Sequence, residues 1–306
     1  MMDPVAVVAD VLAAAVGIAT PLALAATGET LAERSGVVNL GIEGAMLFGA
    51  LGGAIGATVA GPAAGLGFGV LAGVLVAVLF AAVAIGAGAD QIISGTAVTL
   101  ASVGLTGTIY RQFYGPAGVG LSIPTLAPLP IPALSQLPLV GEALFAQPVT
   151  TYLTFLLIPL TWWFLFRTRP GLALRAAGED PVAARAAGVP VRVTRVAAVL
   201  AGGAFAGLAG AALVLAQVGT FTERMTAGRG FVAIAIVVLG RWNPVGAGLA
   251  ALLFGLATAA QFAFQAAGLD VPYQLFLMLP YLLTLLALAG VVGRVKAPAS
   301  LGRNGD

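Results

Sequence analysis

The 306-residue chain contains no cysteine, no histidine and a single lysine, Lys296. Without thiols or imidazoles there is no disulfide, no soft-ligand metal site and no Cys- or His-based nucleophile and base. Most catalytic constellations are thereby excluded, and neither enzyme activity nor a cofactor or metal is expected. No G-x-x-x-x-G-K-[ST] surrounds the lysine, which excludes a Walker-type cradle for nucleotide phosphates. If ATP drives this protein, another subunit hydrolyses it. Charge is scarce as well: Asp, Glu, Lys and Arg make up 8% of the residues, against about a quarter in ordinary soluble domains. No nucleic-acid partner is expected.

What is present is apolar. Hydrophobic residues account for 60% and the mean hydropathy is +1.05, the composition of an integral membrane protein embedded in lipid. Stretches of about 20 apolar residues cross the hydrocarbon core as helices. Nine are expected, over residues 5–27, 41–60, 65–87, 92–110, 149–166, 193–217, 230–240 with its flanks, 244–264 and 273–292. The expected fold is an all-α, polytopic helical bundle forming one transmembrane domain over 1–306, with a first half at 5–110, a second half at 194–292 and a tail at 293–306. The 42 glycines suit close helix contacts, and G-x-x-x-G spacings recur at Gly49/Gly53, Gly52/Gly56, Gly65/Gly69 and Gly203/Gly207. The first ten residues carry no basic n-region and no small-residue cleavage site, so a cleavable signal peptide is not expected. Residues 111–148 hold seven of the 18 prolines and read as an ordered external cap or short interfacial pieces. Placing 167–195 in the cytoplasm puts eleven of the 14 basic residues on that side and leaves Arg111, Arg224 and Arg229 outside. That positive-inside bias sets the N-terminus outside and the C-terminus inside.

Two polar interruptions break the apolar pattern. The stretch ERSGVVNLGIEGAMLFGA, residues 33–50, places Glu33, Arg34, Asn39 and Glu43 within eleven residues. The stretch GFVAIAIVVLG, 230–240, offers only eleven apolar residues between Arg229 and Arg241, too short to span as a regular helix. It is expected as a half-helix, or as a helix extended by irregular backbone that is buried in protein or lines a cavity. Breaks therefore fall in both halves, and broken segments at corresponding places point to a solute pathway. Two roles are open to Asn39 and Glu43, and they can coexist: lining that pathway, or capping a helix, with Asn39 as N-cap and Glu43 in the first turn, where the helix dipole favours a carboxylate. A helix starting near Asn39 puts both side chains on one face, with Gly41 and Gly44 leaving room for a neighbouring backbone or a solute. An ion-coupled secondary transporter is a thin alternative, because only Asp10, Glu43 and Asp90 lie close to or inside spans. A scaffolding membrane protein is the other.

The segment RTRPGLALRAAGEDPVAARAAGVPVRVTR, residues 167–195, is the strongly polar one. Asp180 is a good N-cap, Pro181 fits the first helical position, and Gly188 followed by Pro190 ends a small helix over 182–187. A basic loop held at anionic headgroups explains the arginines but not a capped helix with an alanine face. This segment resembles the coupling loop (167–193) of ABC importer permeases, in which a short cytoplasmic helix docks on the ATPase. Together with residues 33–50, ADQIISG (89–95) and GRWNPVGAGLAALLFG (240–255), it makes the chain similar to the branched-chain amino acid, ribose and nucleoside permease superfamily. The form SGVVNLGIEG is most like the nucleoside or simple-sugar permeases.

The resemblance implies a type II importer permease with two related halves in a bacterial inner membrane. It implies a second homologous permease forming a heterodimer, a separate ATP-binding subunit and an extracytoplasmic substrate-binding lipoprotein. Nucleosides are the expected solute, with simple sugars, riboflavin or branched-chain amino acids as alternatives. Carried over residue by residue, coupling falls to Glu179, Asp180, Pro181, Arg185 and Gly188, and the substrate pathway to Asn39, Glu43, Gln91, Ser94 and Asn243. Phe48, Phe113, Tyr114, Phe221 and Trp242 offer rings for stacking, although membrane aromatics more often serve as core or interface anchors.

Overall fold

The computed structural model describes residues 4–115, 123–266, 274, 278, 282, 285 and 296–303. Helix α1 runs over Pro4–Arg34, α2 over Ile42–Ala60, α3 over Pro62–Ala81 and α4 over Gln91–Tyr114. A π-turn, Ala82–Gly86, extends α3. In the second half α6 covers Val149–Arg167, α9 Val191–Ala212 with a π-turn to Val218, α10 Arg229–Leu239 and α11 Pro244–Ala266. Among the described residues, seven helices are long and apolar enough to cross a membrane, and α10 is a shorter apolar helix. The protein is a multi-pass membrane protein. The ninth expected span, 273–292, lies outside the described residues apart from isolated positions.

The bundle is held by backbones in contact. Helices α2, α3 and α9 meet through glycine: a Cβ on Gly49 would lie 2.5 Å from the Cα of Gly207, and one on Gly73 would lie 2.6 Å from the same atom. With lipid outside, no hydrophobic force drives these helices together, so such close van der Waals packing must hold them. The opposite face of α3 turns outward with Phe68, Leu71, Leu75 and Leu79 exposed, as suits contact with acyl chains.

Three local features differ from the sequence expectation. The first helix does not stop near residue 27 but continues to Arg34, carrying Glu29 and Glu33 inside at 0% and 2% exposure. Each carboxylate finds one donor, as described below, while Glu29 Oε2 and Glu33 Oε1 are buried without a hydrogen-bond partner among the described residues. Segment 167–195 holds two helices rather than one: α7, Arg169–Glu179, precedes α8, Pro181–Ala186. Thr168 starts α7 as its N-cap, its hydroxyl accepting from the N–H of Gly171 at 3.1 Å. Between the fourth and fifth long helices, the pieces include β1 (Leu129–Pro130) paired antiparallel with β2 (Ala146–Gln147) and a short helix α5, Gly141–Phe145. Tyr152 pins this cap, donating its hydroxyl to the Leu129 carbonyl at 2.9 Å.

Candidate functional site

The site is the junction of two broken segments, 35–41 and 219–228, with the half-helix α10. After Arg34 the chain turns back along α1, and the N–H of Asn39 donates to Glu29 Oε1 at 3.0 Å. Glu29 lies five residues before the end of α1, so Asn39 sits about 8 Å inward from that end at 1.5 Å per residue. Helix α2 therefore starts within the bundle. Its N-cap is Gly41, not Asn39; the Asn39 side chain accepts from the Gly41 N–H at 3.0 Å, one turn outside the helix. Asn39 and Glu43 consequently do not share a helical face. The space beside Gly41 and Gly44 is taken by α4: a Cβ on Gly44 would meet Ser102 Oγ at 2.5 Å.

Glu43 is 5% exposed and caps a helix other than its own. Its Oε1 accepts from Thr226 Oγ1 at 2.6 Å and from the Gly228 N–H at 2.9 Å, while Oε2 accepts from the Gly230 N–H at 2.6 Å. These are donors at the start of α10, where the helix N-terminus concentrates positive potential and unpaired N–H groups. Gly230 has to be glycine, since a Cβ there would stand 2.6 Å from the Glu43 Cα. From this clamp α10 runs eleven residues, about 16 Å, roughly half the hydrocarbon thickness. It ends beside α1: Arg34 Nε donates to the Trp242 carbonyl at 2.7 Å, and the Trp242 indole N–H donates to Glu33 Oε2. Non-glycine residues with positive φ flank α10 on both sides: Arg224, Ala227, Arg241 and Trp242. Such conformations cost of order 1 kcal/mol each and persist only where surrounding contacts impose them.

The three other residues expected at a solute path, Gln91, Ser94 and Asn243, occupy two different places. Gln91, buried at the start of α4, accepts from the Val38 N–H at 2.9 Å through Oε1. Ser94 is buried one turn further on, in a row of hydroxyls with Ser102 and Thr106; beside that row Thr99 donates to the Leu40 carbonyl at 2.9 Å. Asn243 is half-buried and caps α11, accepting from the Val245 N–H at 3.0 Å. Thus Asn39, Glu43, Gln91 and Ser94 gather around the first break, whereas Asn243 stands at the far end of α10. Of the aromatic residues, Phe221 is buried 5.0 Å from Tyr110 and Trp242 is engaged by Glu33, so both serve as internal anchors. The spacing of Glu29 and Glu33, four apart near the end of an apolar run, is the sequence signal that could have placed them inside.

At the α7–α8 segment, Asp180 Oδ1 accepts from the N–H groups of Val182 and Ala183 at 3.0 and 2.9 Å, and Pro181 opens α8. Gly188 has φ +83° and ends the turn. Ala184 is buried with Ala177 and Val191, while Val182, Ala183 and Arg185 face outward. Glu179 lies at the end of α7 and accepts from the Ala299 N–H at 3.4 Å. The segment is thus a rigid, outward-facing knob on the bundle.

Three relatives align with this chain along most of its length. It is 37% identical over 98% of both chains to the guanosine ABC transporter permease protein NupQ of Bacillus subtilis. It is 34% identical to the nucleoside ABC transporter permease protein NupC of Lactococcus lactis, over 93% of each. A provisionally named glucose ABC transporter permease protein, TsgC13 of Haloferax volcanii, is 40% identical over 85% of this chain and 79% of its own. Residues 11–288 match the family described as the permease component of the branched-chain amino acid transport system. With broken helices around an internal clamp and relatives named as transporter permeases over nearly its whole length, the chain belongs to that permease family.

Proposed function

We propose that this chain is the membrane permease subunit of an ATP-binding cassette importer that takes up nucleosides. The observation that carries the reading is the alignment with a guanosine permease, 37% identical over 98% of each chain. The protein is a transport subunit and not itself an enzyme; ATP hydrolysis falls to a separate subunit that docks on α8 through Val182, Ala183 and Arg185, with Glu179, Asp180, Pro181 and Gly188 fixing the knob. An extracytoplasmic lipoprotein delivers the solute, and the assembly sits in a bacterial cytoplasmic membrane. The chain comprises two related halves.

A second, homologous permease completes the path. The polar cavity lined by Thr20, Gln147, Thr150, Thr151 and Gln217 measures about 70 Å³, well below the roughly 300 Å³ at which small-molecule pockets begin. The exposed face of α4, with Thr96, Gly104 and Thr108, fits the role of pathway wall toward the partner. Asn39, Glu43, Gln91, Ser94 and Asn243 shape the path by holding its two breaks. The 40%-identical relative named for glucose favours a sugar as the second reading. Uptake of labelled guanosine and labelled glucose by cells carrying the complete system, against cells lacking this chain, tests both. Guanosine accumulation that needs the chain is the expected result; glucose accumulation alone overturns the nucleoside reading.

A further inference from the structure

Arg195, near the start of α9, is 5% exposed and lies where four segments meet. Its Nε donates to the Ser35 carbonyl at 3.1 Å, Nη1 to the Arg303 carbonyl at 3.3 Å and Nη2 to Ser300 Oγ at 3.2 Å. Ser300 in turn donates twice to the Gly178 carbonyl, from its N–H at 2.9 Å and from Oγ at 2.7 Å. The Gly302 N–H donates to the Gly36 carbonyl at 3.1 Å. Gly178 itself touches the first break: a Cβ there would lie 3.0 Å from the Gly36 nitrogen. The C-terminal residues 299–303 therefore form a strap over the end of α7 and the start of the broken segment, and one guanidinium fastens it.

We propose that Arg195 is the positioning residue through which movement of α8 reaches the broken segment at Ser35–Gly36. The inference rests on the reading of the chain as an ATP-driven importer permease. Only Asp180 separates α8 from α7, so displacement of the docked knob moves Gly178. Gly178 bears directly on residues 34–36 and, through Ser300, on Arg195. From Gly36 the chain runs three residues to Asn39 and four more to Glu43, whose carboxylate holds the start of α10. The planar fork of arginine suits this place, since it holds three acceptors, one on the broken segment and two on the strap, in one fixed geometry, which a lysine ammonium on a flexible stem does not. Removing it leaves a buried Ser35 carbonyl without that donor and frees the strap.

The test is reconstitution of the whole complex in proteoliposomes, with labelled guanosine uptake and ATP hydrolysis measured per assembled complex. Arg195→Ala lowers uptake per ATP hydrolysed by about tenfold, equivalent to about one hydrogen bond to a charged group, with hydrolysis held within about twofold. Arg195→Lys recovers part of the ratio, and Ser300→Ala gives a smaller loss in the same direction. An unchanged ratio in assembled Arg195→Ala complex, with only the yield reduced, overturns the inference and marks the residue as structural. If Arg195→Ala does not assemble, the ratio for Ser300→Ala decides alone, a wild-type value overturning the proposal. Absence of guanosine uptake by the unaltered complex overturns the functional reading and this inference with it, whereas a wild-type ratio in the variants overturns only the role of Arg195.

Discussion

Replacing Glu43 with glutamine removes one acceptor oxygen from a carboxylate that serves three donors: Thr226 Oγ1, the Gly228 N–H and the Gly230 N–H. The amide nitrogen that replaces it is itself a donor. Whichever way the amide lies, at least one N–H at the start of α10 faces another N–H in an apolar interior. Loss of a hydrogen bond to a charged group costs about 2 kcal/mol, and loss of the charge at a helix N-terminus adds about 1 kcal/mol. A destabilisation of about 3 kcal/mol in local opening corresponds to about hundredfold faster exchange of the Gly228 and Gly230 amides. Hydrogen–deuterium exchange on a peptide covering 226–231, with the protein in nanodiscs, measures this directly. Thr226→Val, which removes one of the three bonds, should accelerate exchange by about tenfold. Because both changes act on the same carboxylate, the double variant should lose less than the sum of the two. Wild-type protection in Glu43→Gln, or strict additivity in the double variant, would refute the clamp.

Gly230→Ala drives a Cβ to 2.6 Å from the Glu43 Cα and should abolish assembly, whereas Gly104→Ala, with nothing within 4 Å, should leave yield and melting temperature unchanged or slightly raised; size-exclusion profiles of both distinguish them. Asp180→Ala should weaken α8 by about 1 kcal/mol through loss of its N-cap, and Ala184→Pro, which removes the N–H bonded to the Asp180 carbonyl, should uncouple ATP hydrolysis from uptake while leaving membrane insertion intact. Normal uptake with proline at 184 would sink the docking role. Because the chain has no cysteine of its own, single cysteines placed at Met2, Val59 and Val182 report sidedness cleanly: the first two should be labelled only from outside and the third only from inside. Labelling of position 2 from the cytoplasmic side would remove the nine-span topology.

The long helices were legible because their signal is one of length and hydropathy, and each of the seven described spans overlaps an expected stretch. The half-helix was legible for the same reason inverted, since eleven apolar residues between two arginines cannot cross a bilayer. Asp180–Pro181 announced α8 through local cap chemistry, which needs no tertiary partner. What sequence could not supply was the partner across the fold. Glu43 lies in the first turn of α2, as expected, yet its donors come from residues 226–230, about 180 positions away. The same holds for Arg195, which read as one more basic residue at the end of a loop. Its meaning comes from three carbonyl and hydroxyl oxygens on segments that only the fold brings together.

The glycine seam of α2, α3 and α9 also bears on how the chain is made. The α2–α3 hairpin is complete by residue 86, while Gly203, Gly207 and Gly210, which fill its groove, are synthesised more than a hundred residues later. At about 5–20 residues per second the hairpin waits on the order of ten seconds beside the translocon before its third member arrives. Until then the backbone of Met46, Gly69 and Gly73 lacks the α9 glycines that pack against it in the folded chain, so the seam closes only when α9 has entered the membrane.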